Sequence, residues 1–365
     1  MHINGKHYHT IWVKENDPKT IQVIDQRLLP FEFKIRDLKT IADTFIAIKD
    51  MCVRGAPLIG VTAAYGMYLG LLHLNEKDNL TTKINEFSQY LKSSRPTAVN
   101  LKFAVDLVLD KIKSAKSINE KTKVAFEIAN QLKQDEIENC KKIGKNGVRF
   151  IQEISKAKKG ETVNILTHCN AGWLACVDYG TATSPMYLAH EKGIKIHVWV
   201  DETRPRNQGA RLTAYELEQQ GIPHTVIADN TGGLLMQKGM VDMVIVGSDR
   251  TSANGDVANK IGTYLKALAA HDNNIPFYVA LPLSTIDFEM EDGIKNIPIE
   301  QRDPDEVKYV EGWNNDEITR VRITSENSPA LNYGFDVTPA KYVTALITEK
   351  GVAKANMNDI EKLNK

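Results

Sequence analysis

TVNILT at 162–167, IKIHVWV at 194–200, HTVIA at 224–228, DMVIVG at 242–247 and IPFYVA at 275–280 decide the fold. Each is a short apolar run rich in β-branched residues, and the runs recur about every 20 to 35 residues with helical segments between them. Strands that alternate with helices build a parallel sheet, because parallel neighbours need a crossover connection. The pattern predicts a Rossmann-like α/β domain with a doubly wound parallel sheet over 158–365.

Upstream of Gly160 the texture changes. HTIWV and TIQVIDQRLLPFEF, with Pro30 as a breaker, read as short strands over residues 1 to about 35. From Asp37 to about Lys158 the spacing is helical, and IRDLKTIADTFIAIKDM carries apolar residues three and four apart. Arg54-Gly55-Ala56-Pro57 opens another helix, with proline suited to its first turn. Ser93-Ser94-Arg95-Pro96-Thr97 breaks the chain before a helix from about Val99 to Ile112, and an amphipathic stretch from about Glu120 to Ile154 follows. The expectation is a mostly helical domain with a few short N-terminal strands over 1–157. From Gly55 to Asn75 there is no charged residue apart from His73, and Gly66 and Gly70 form a G-x-x-x-G. Glycine, threonine, tyrosine and asparagine dilute the segment, so it reads as a buried helix rather than a membrane span. Its glycines would let another backbone approach closely. The C-terminal KANMNDIEKLNK reads as a solvated, frayed tail.

Lysine plus arginine equals aspartate plus glutamate at 46 each, so no overall charge draws the chain to nucleic acid or to an anionic membrane. A small charged substrate then needs a local cluster. The four cysteines form no C-x-x-C pair, which leaves zinc-ribbon and thioredoxin-like chemistry unsupported and fits a reducing, cytoplasmic compartment. MHINGKHYHTIWV has no apolar export core. The first strand of the sheet runs into LTHCNAGWLA, which is not a G-x-G-x-x-G, no P-loop is present, and His190-Glu191 does not continue to H-E-x-x-H. His2, His7 and His9 are able to chelate a metal loosely, but a mobile polar N-terminus accounts for them better. What remains is a site at the carboxyl ends of the strands, where open α/β sheets bind ligands.

Two strand ends carry reactive groups. TVNILT leads into His168-Cys169-Asn170-Ala171-Gly172 and DMVIVG leads into Ser248-Asp249-Arg250. If both strands are central and parallel, Cys169 and Asp249 project into one crevice. A cysteine between a strand end and a helix start feels the positive end of a macrodipole, which lowers its pKa; the plain alternative is a small buried hydrophobe. Asp249 reads either as a catalytic acid or as a helix cap or partner of Arg250. Of the arginines at 54, 95, 204, 206, 211 and 250, Arg54 stands out because Arg54-Gly55-Ala56 combines a guanidinium with the free N–H groups of a helix start, an anion site. Asn259-Lys260 in GDVANKIG offers an amide and an ammonium near another predicted helix start, or an ordinary helix entry.

Together these segments resemble the methylthioribose-1-phosphate isomerase family. The resemblance rests on RGAPLIG at 54–60, SSRPTAVNLKFAVD at 93–106, LTHCNAGWLA at 166–175, DETRPRNQGARLTAYEL at 201–217, ADN at 228–230, VGSDRTSANGDVANKIGTY at 246–264 and FDVTPAKYVTALITEKG at 335–351. The blocks keep the family's order over nearly the whole chain. The wider superfamily is similar to regulatory subunits of a eukaryotic translation-initiation exchange factor and to ribose-1,5-bisphosphate isomerases. The resemblance implies that Asp249 is the catalytic acid/base and Cys169 its partner. It implies that Arg54, Gly55, Ala56, Arg95, Gln208, Asn259 and Lys260 bind a small sugar phosphate. It further implies a cytoplasmic homodimer that needs no metal or organic cofactor. The implied reaction is an aldose–ketose isomerisation of 5-methylthioribose 1-phosphate to 5-methylthioribulose 1-phosphate in methionine salvage. Alternatives are the same isomerisation on 5-deoxyribose 1-phosphate or ribose 1,5-bisphosphate, or a non-catalytic regulatory subunit. The joint presence of Cys169, Asp249, Asn259 and Lys260 argues against the last. Trp173 and Thr231-Gly232-Gly233 depart from the family's commoner residues, and the expectation is that they shape the pocket around the sugar's far end.

Overall fold

A computed structural model describes residues 1–96 and 98–364; Thr97, part of the predicted break, and Lys365 lie outside them. The chain opens with a hairpin, β1 (His2–Ile3) and β2 (Lys6–His7), then an antiparallel sheet of β3 (Ile11–Lys14), β4 (Asp17–Ile24) and β5 (Ile35–Leu38). Met1 and Ile3 are buried in the core, so the N-terminus expected to be mobile is packed instead. β5 also corrects the helical reading of IRDL: Leu38 pairs with Ile21 across the sheet. The helix α1 (Ile41–Lys49) begins after it, where Thr40 and Asp43 form a capping box.

Four helices follow: α2 (Ala56–Leu71), α3 (Leu80–Ser94), α4 (Val99–Ile112) and α5 (Ile118–Ala157). Every residue of α2 from Pro57 to Leu71 is buried, because α2 is apolar all round and packs against α1, α3, α4 and α5. At Gly60 the missing side chain admits the Asn100 backbone of α4, the close approach expected of this segment. No helix among the described residues is long and apolar enough to cross a membrane. The 40 residues of α5 span about 60 Å. Ala125, Ala129 and Ile137 on it join the helical core, whereas Ile143, Val148 and Ile151 join the core beneath the sheet.

The α/β region supplies β6 (Val163–Thr167), α6 (Ser184–Glu191), β7 (Ile196–Asp201), α7 (Ala214–Gln219), β8 (His224–Ile227), α8 (Thr231–Gln237) and β9 (Met243–Val246). Next come β10 (Arg250–Ser252), β11 (Val257–Lys260), α9 (Thr263–Asp272), β12 (Phe277–Ala280), β13 (Ile286–Asp287) and two single turns, α10 (Gly293–Asn296) and α11 (Asp305–Lys308). The hairpin β14 (Tyr309–Asn314) and β15 (Glu317–Arg322), then β16 (Phe335–Thr338), β17 (Ala345–Thr348), β18 (Gly351–Ala353) and α12 (Met357–Leu363) complete it. Seven strands form the main sheet in the order β18-β17-β12-β9-β6-β7-β8, parallel except for β18. The chain steps outward from β6 through β7 to β8, then returns to the other side of β6 and continues through β9, β12 and β17. Between β6 and β9 the winding direction reverses, and the loops at their carboxyl ends diverge to open a crevice.

Two further expectations need correction. Asn259 and Lys260 lie just before a helix start, as expected, but are not themselves a helix entry. They lie on β11, in a second sheet of order β13-β10-β11-β16, and α9 starts only after Gly262, whose φ is +104°. The C-terminal segment is not a frayed tail either: Asn356 caps α12 and Ile360 is buried against the far face of the sheet.

Candidate active site

Cys169 lies two residues beyond β6 and Asp249 three beyond β9, so the reactive groups come from the two strands that flank the reversal point. Both line one cleft of about 1170 Å³, open solvent included. The same cleft receives Arg54, Gly55 and Ala56 from the start of α2, Arg95 from the end of α3, Gln208 from the segment before α7, and Asn259 and Lys260 from β11. All nine residues singled out in the sequence meet there. Apolar side chains, among them Met51, Ile59, Val99, Ile297 and Phe335, cover much of the remaining wall.

Cys169 adopts φ +67°, a left-handed conformation rare for a residue with a side chain and common where function fixes the backbone. Its N–H donates to Thr203 Oγ1 at 2.8 Å, and its carbonyl accepts from Thr213 Oγ1 at 2.7 Å. The next helical residues are a single 3₁₀ turn at Trp173–Ala175, so no helix dipole is aimed at the sulfur. Burial therefore dominates and pushes the thiol up, against the pull of Arg54 and Lys260 and with a push from Asp249. The expectation of a lowered pKa is overturned, and Cys169 is held as a thiol.

Asp249 is no helix cap, since the strand β10 follows it, and Arg250 pairs with Asp287 at 2.5 Å instead. Burial raises the Asp249 carboxyl above the ordinary carboxylate value, although Lys260, Arg54 and Arg95 all oppose the rise. Burial likewise lowers Lys260, opposed by Cys169 and Asp249. The Lys260 ammonium donates to the Gly334 carbonyl at 3.0 Å and lies 5.1 Å from the centre of the Phe335 ring. A thiol, a carboxyl and an ammonium thus sense one another across the cleft.

Arg54 is held by residue 170 rather than by a carboxylate. Its guanidinium donates to Asn170 Oδ1 and, at 2.7 Å, to the Asn170 carbonyl. The amide nitrogen of Asn170 donates in turn to Glu216 Oε1 at 3.0 Å and to Thr213 Oγ1 at 3.1 Å. Glu216, fully buried, also accepts from Trp173 N–H, Leu174 N–H and the Tyr187 hydroxyl at 2.8–3.1 Å. Gly172 is obligatory beside it, because a Cβ there would overlap the carboxylate. Gly55, at φ +92°, packs its bare Cα against the Ala175 backbone and so lays the start of α2 against this loop. A second brace runs from His168, whose ring nitrogens lie 2.8 Å from Asp201 Oδ2 and 2.8 Å from the Ile261 carbonyl; Lys266 Nζ is 3.2 Å from the same Asp201 oxygen.

Across the cleft, Arg95 pairs with Glu300 at 3.2 Å, and Arg302 joins Glu300 at 3.0 Å and Glu306 at 2.7 Å. Arg95 Nε and Gln208 Oε1 are buried and have no hydrogen-bond partner among the described residues, so both are available to a ligand. Arg204, Arg206 and Arg211 stay out of the cleft. Arg204 donates to backbone carbonyls, including Val307 at 2.9 Å, and the other two pair with Glu306 and Glu311.

A sequence model described as the initiation factor 2 subunit family matches residues 52–355. A methylthioribose-1-phosphate isomerase of Desulfatibacillum aliphaticivorans is 56% identical over 363 residues, covering 100% of this chain and 98% of that protein. The chain belongs to the methylthioribose-1-phosphate isomerase family. A crystal structure of 5-methylthioribose 1-phosphate isomerase from Pyrococcus horikoshii superposes with a TM-score of 0.84 at 38% identity, covering 98% of this chain and 96% of that one. The translation initiation factor eIF-2B subunit delta from A. fulgidus superposes at 0.80 with 36% identity, covering 98% and 100%.

Within this isomerase family framework, the sequence reading missed Glu216, His168, Glu300 and Arg302. Glu216 sits inside DETRPRNQGARLTAYEL, and a buried acid in an amphipathic helix was its only signal. Glu300 and Arg302 lie in an irregular segment with no local signature. The two departures from the family pattern do not touch the cleft. Trp173 is fully buried under the sheet, and Thr231-Gly232-Gly233 opens α8.

Proposed function

We propose that this chain is an aldose–ketose isomerase that converts 5-methylthioribose 1-phosphate to 5-methylthioribulose 1-phosphate. The observation that carries the reading is the convergence of Cys169 and Asp249 from the two strands at the reversal point into a cleft ringed by Arg54, Arg95 and Lys260.

The chemistry sets the requirements. A phosphate on O1 locks the ring as an acetal. The ring oxygen must be protonated as its bond to C1 breaks. Hydrogen must then leave C2 and arrive at C1, while the C2 hydroxyl gives up its proton to become the ketone. Asp249, whose carboxyl burial raises, is the acid for the ring oxygen. Cys169 stands opposite and handles the second proton, with apolar walls excluding water. Arg54, Arg95, Asn259, Lys260 and the amides at Gly55 and Ala56 clamp the phosphate, whose binding energy serves positioning. Gln208 meets a sugar hydroxyl.

The charge pattern favours the thioether over ribose 1,5-bisphosphate. Arg95 and Arg302 share Glu300, and Arg250 is matched by Asp287, so the cleft holds cationic surplus for one phosphate only. The rest of the wall suits a small apolar C5 group.

The two halves, 1–157 and 158–365, act as domains that close on substrate; identical small-angle scattering profiles with and without a substrate analogue would remove closure. The working form is a cytoplasmic homodimer that binds no nucleic acid, in keeping with the family resemblance and the balanced charge. A sedimentation mass equal to one chain would exclude the dimer.

The deciding experiment is ketose formation by the purified protein. Cys169→Ser and Asp249→Asn should each lower kcat by orders of magnitude with the fold and substrate binding kept. If both variants ran at the parent rate, the assigned roles would be wrong.

A further inference from the structure

His7 ends β2 and His9 lies two residues further on, so the H-x-H spacing presents both rings on one side of an extended segment. They converge on a residue far away in the chain. His7 Nε2 is 3.0 Å and His9 Nε2 is 3.6 Å from Asp178 Oδ2, and the three atoms lie within 4.8 Å of one another. Asp178 divides its carboxylate between two tasks. Oδ1 accepts from the Met1 ammonium at 2.5 Å and from the Tyr179 N–H at 3.0 Å, while Oδ2 faces the two imidazoles.

From this geometry we propose that His7, His9 and Asp178 bind a divalent first-row transition ion, with Zn²⁺ as the fitting example, at a site distinct from the cleft. Tetrahedral zinc holds nitrogen and oxygen ligands at about 2.0–2.1 Å, which separates ligand atoms by roughly 3.3 Å. The observed spacings straddle that figure, so an ion enters with small side-chain shifts. Imidazole and carboxylate ligands suit such ions. The His7 side chain is 50% exposed and Asp178 only 3%, so the site opens to solvent on one side and is anchored in the core on the other. The His2 ring stands edge-on to His7, 5.5 Å between ring centres. The Met1 ammonium, Lys133 and Lys141 are the cations that face the cluster, and they weaken the site relative to one built from neutral surroundings. Asp178 follows Cys176, a cleft residue, by two positions. An ion here therefore staples the N-terminal hairpin to the loop behind the cleft, and its expected effect is on stability.

The test uses the full chain with no N-terminal histidine tag, stripped with EDTA and titrated with ZnCl₂ by calorimetry and by thermal melting. Native protein, His271→Ala and Cys169→Ser should each take up one equivalent, and zinc should raise the melting temperature of the native protein. His7→Ala and His9→Ala should bind at least tenfold more weakly and lose the zinc-dependent rise; circular dichroism confirms that they fold. No saturable binding, equal binding by the histidine variants, or binding lost in Cys169→Ser would each overturn the proposal.

Discussion

The two walls of the cleft are built in different ways. On the wall that carries Cys169, buried groups are cross-braced. Glu216 takes four donors, Asn170 relays to Arg54, and His168 ties the end of β6 to Asp201 and to the turn after β11. On the opposite wall, Arg95, Glu300 and Arg302 are held by ion pairs between side chains that keep 13–19% exposure, and Arg95 retains a nitrogen without a partner among the described residues. The contrast separates two jobs. The reacting carbons need groups fixed to within a fraction of an ångström, whereas a phosphate is gripped by long cationic side chains that adjust as the cleft closes.

Glu216→Gln attacks the braced wall and should have the largest effect of the wall variants. The amide turns one acceptor into a donor facing N–H groups, costing about 2–3 kcal/mol in stability. By displacing Asn170 and Cys169 it should also cut kcat/KM on the order of 100-fold; urea unfolding and initial rates check both. Arg95→Ala on the adjustable wall should leave the melting profile nearly unchanged and raise KM roughly 10–100-fold, the value of a charge-assisted hydrogen bond. Glu300→Gln should change KM by no more than about fivefold, because a partly solvated ion pair is worth little. If Glu300→Gln proved as damaging as Glu216→Gln, the division between the walls would be wrong.

How much of this was legible follows from the range of the interactions. Five strands of the main sheet, β6 to β9 and β12, and the positions of Cys169 and Asp249 were readable, because an apolar run and the residues beyond its carboxyl end lie close together in the chain; β17 and β18 were not read as strands. The placement of Asn259 and Lys260 was not readable either. VANK becomes a strand by pairing with β10 on one side and with β16, about 75 residues away, on the other, and the helix α9 begins only after the glycine that follows. Met1 and Ile360 look terminal and polar by context, but each is buried by contacts with distant segments. The direction of the Cys169 shift depends on how deeply the folded chain covers the sulfur, which no local pattern encodes.

Smaller effects concern protonation. The acid role requires a protonated Asp249, so kcat should hold at lower pH and fall as pH rises through its elevated pKa. The unfolded carboxyl ionises near 3.8, so its contribution to stability is fully present below that pH and is lost as pH rises through the higher folded value. Asp249→Asn should therefore gain stability over the native chain across that window, seen as a growing difference in melting temperature. Cys169 should react slowly with iodoacetamide at neutral pH and faster only above about 9.

The most direct measurement is a crystal structure of Asp249→Asn soaked with 5-methylthioribose 1-phosphate. The phosphate should lie within hydrogen-bond reach of Arg54, Arg95 and Lys260, with the C1–C2 edge between the sulfur of Cys169 and the side chain at 249. A sugar seated instead in the neighbouring groove lined by Arg27, Arg206 and Arg211, away from that sulfur, would contradict the account.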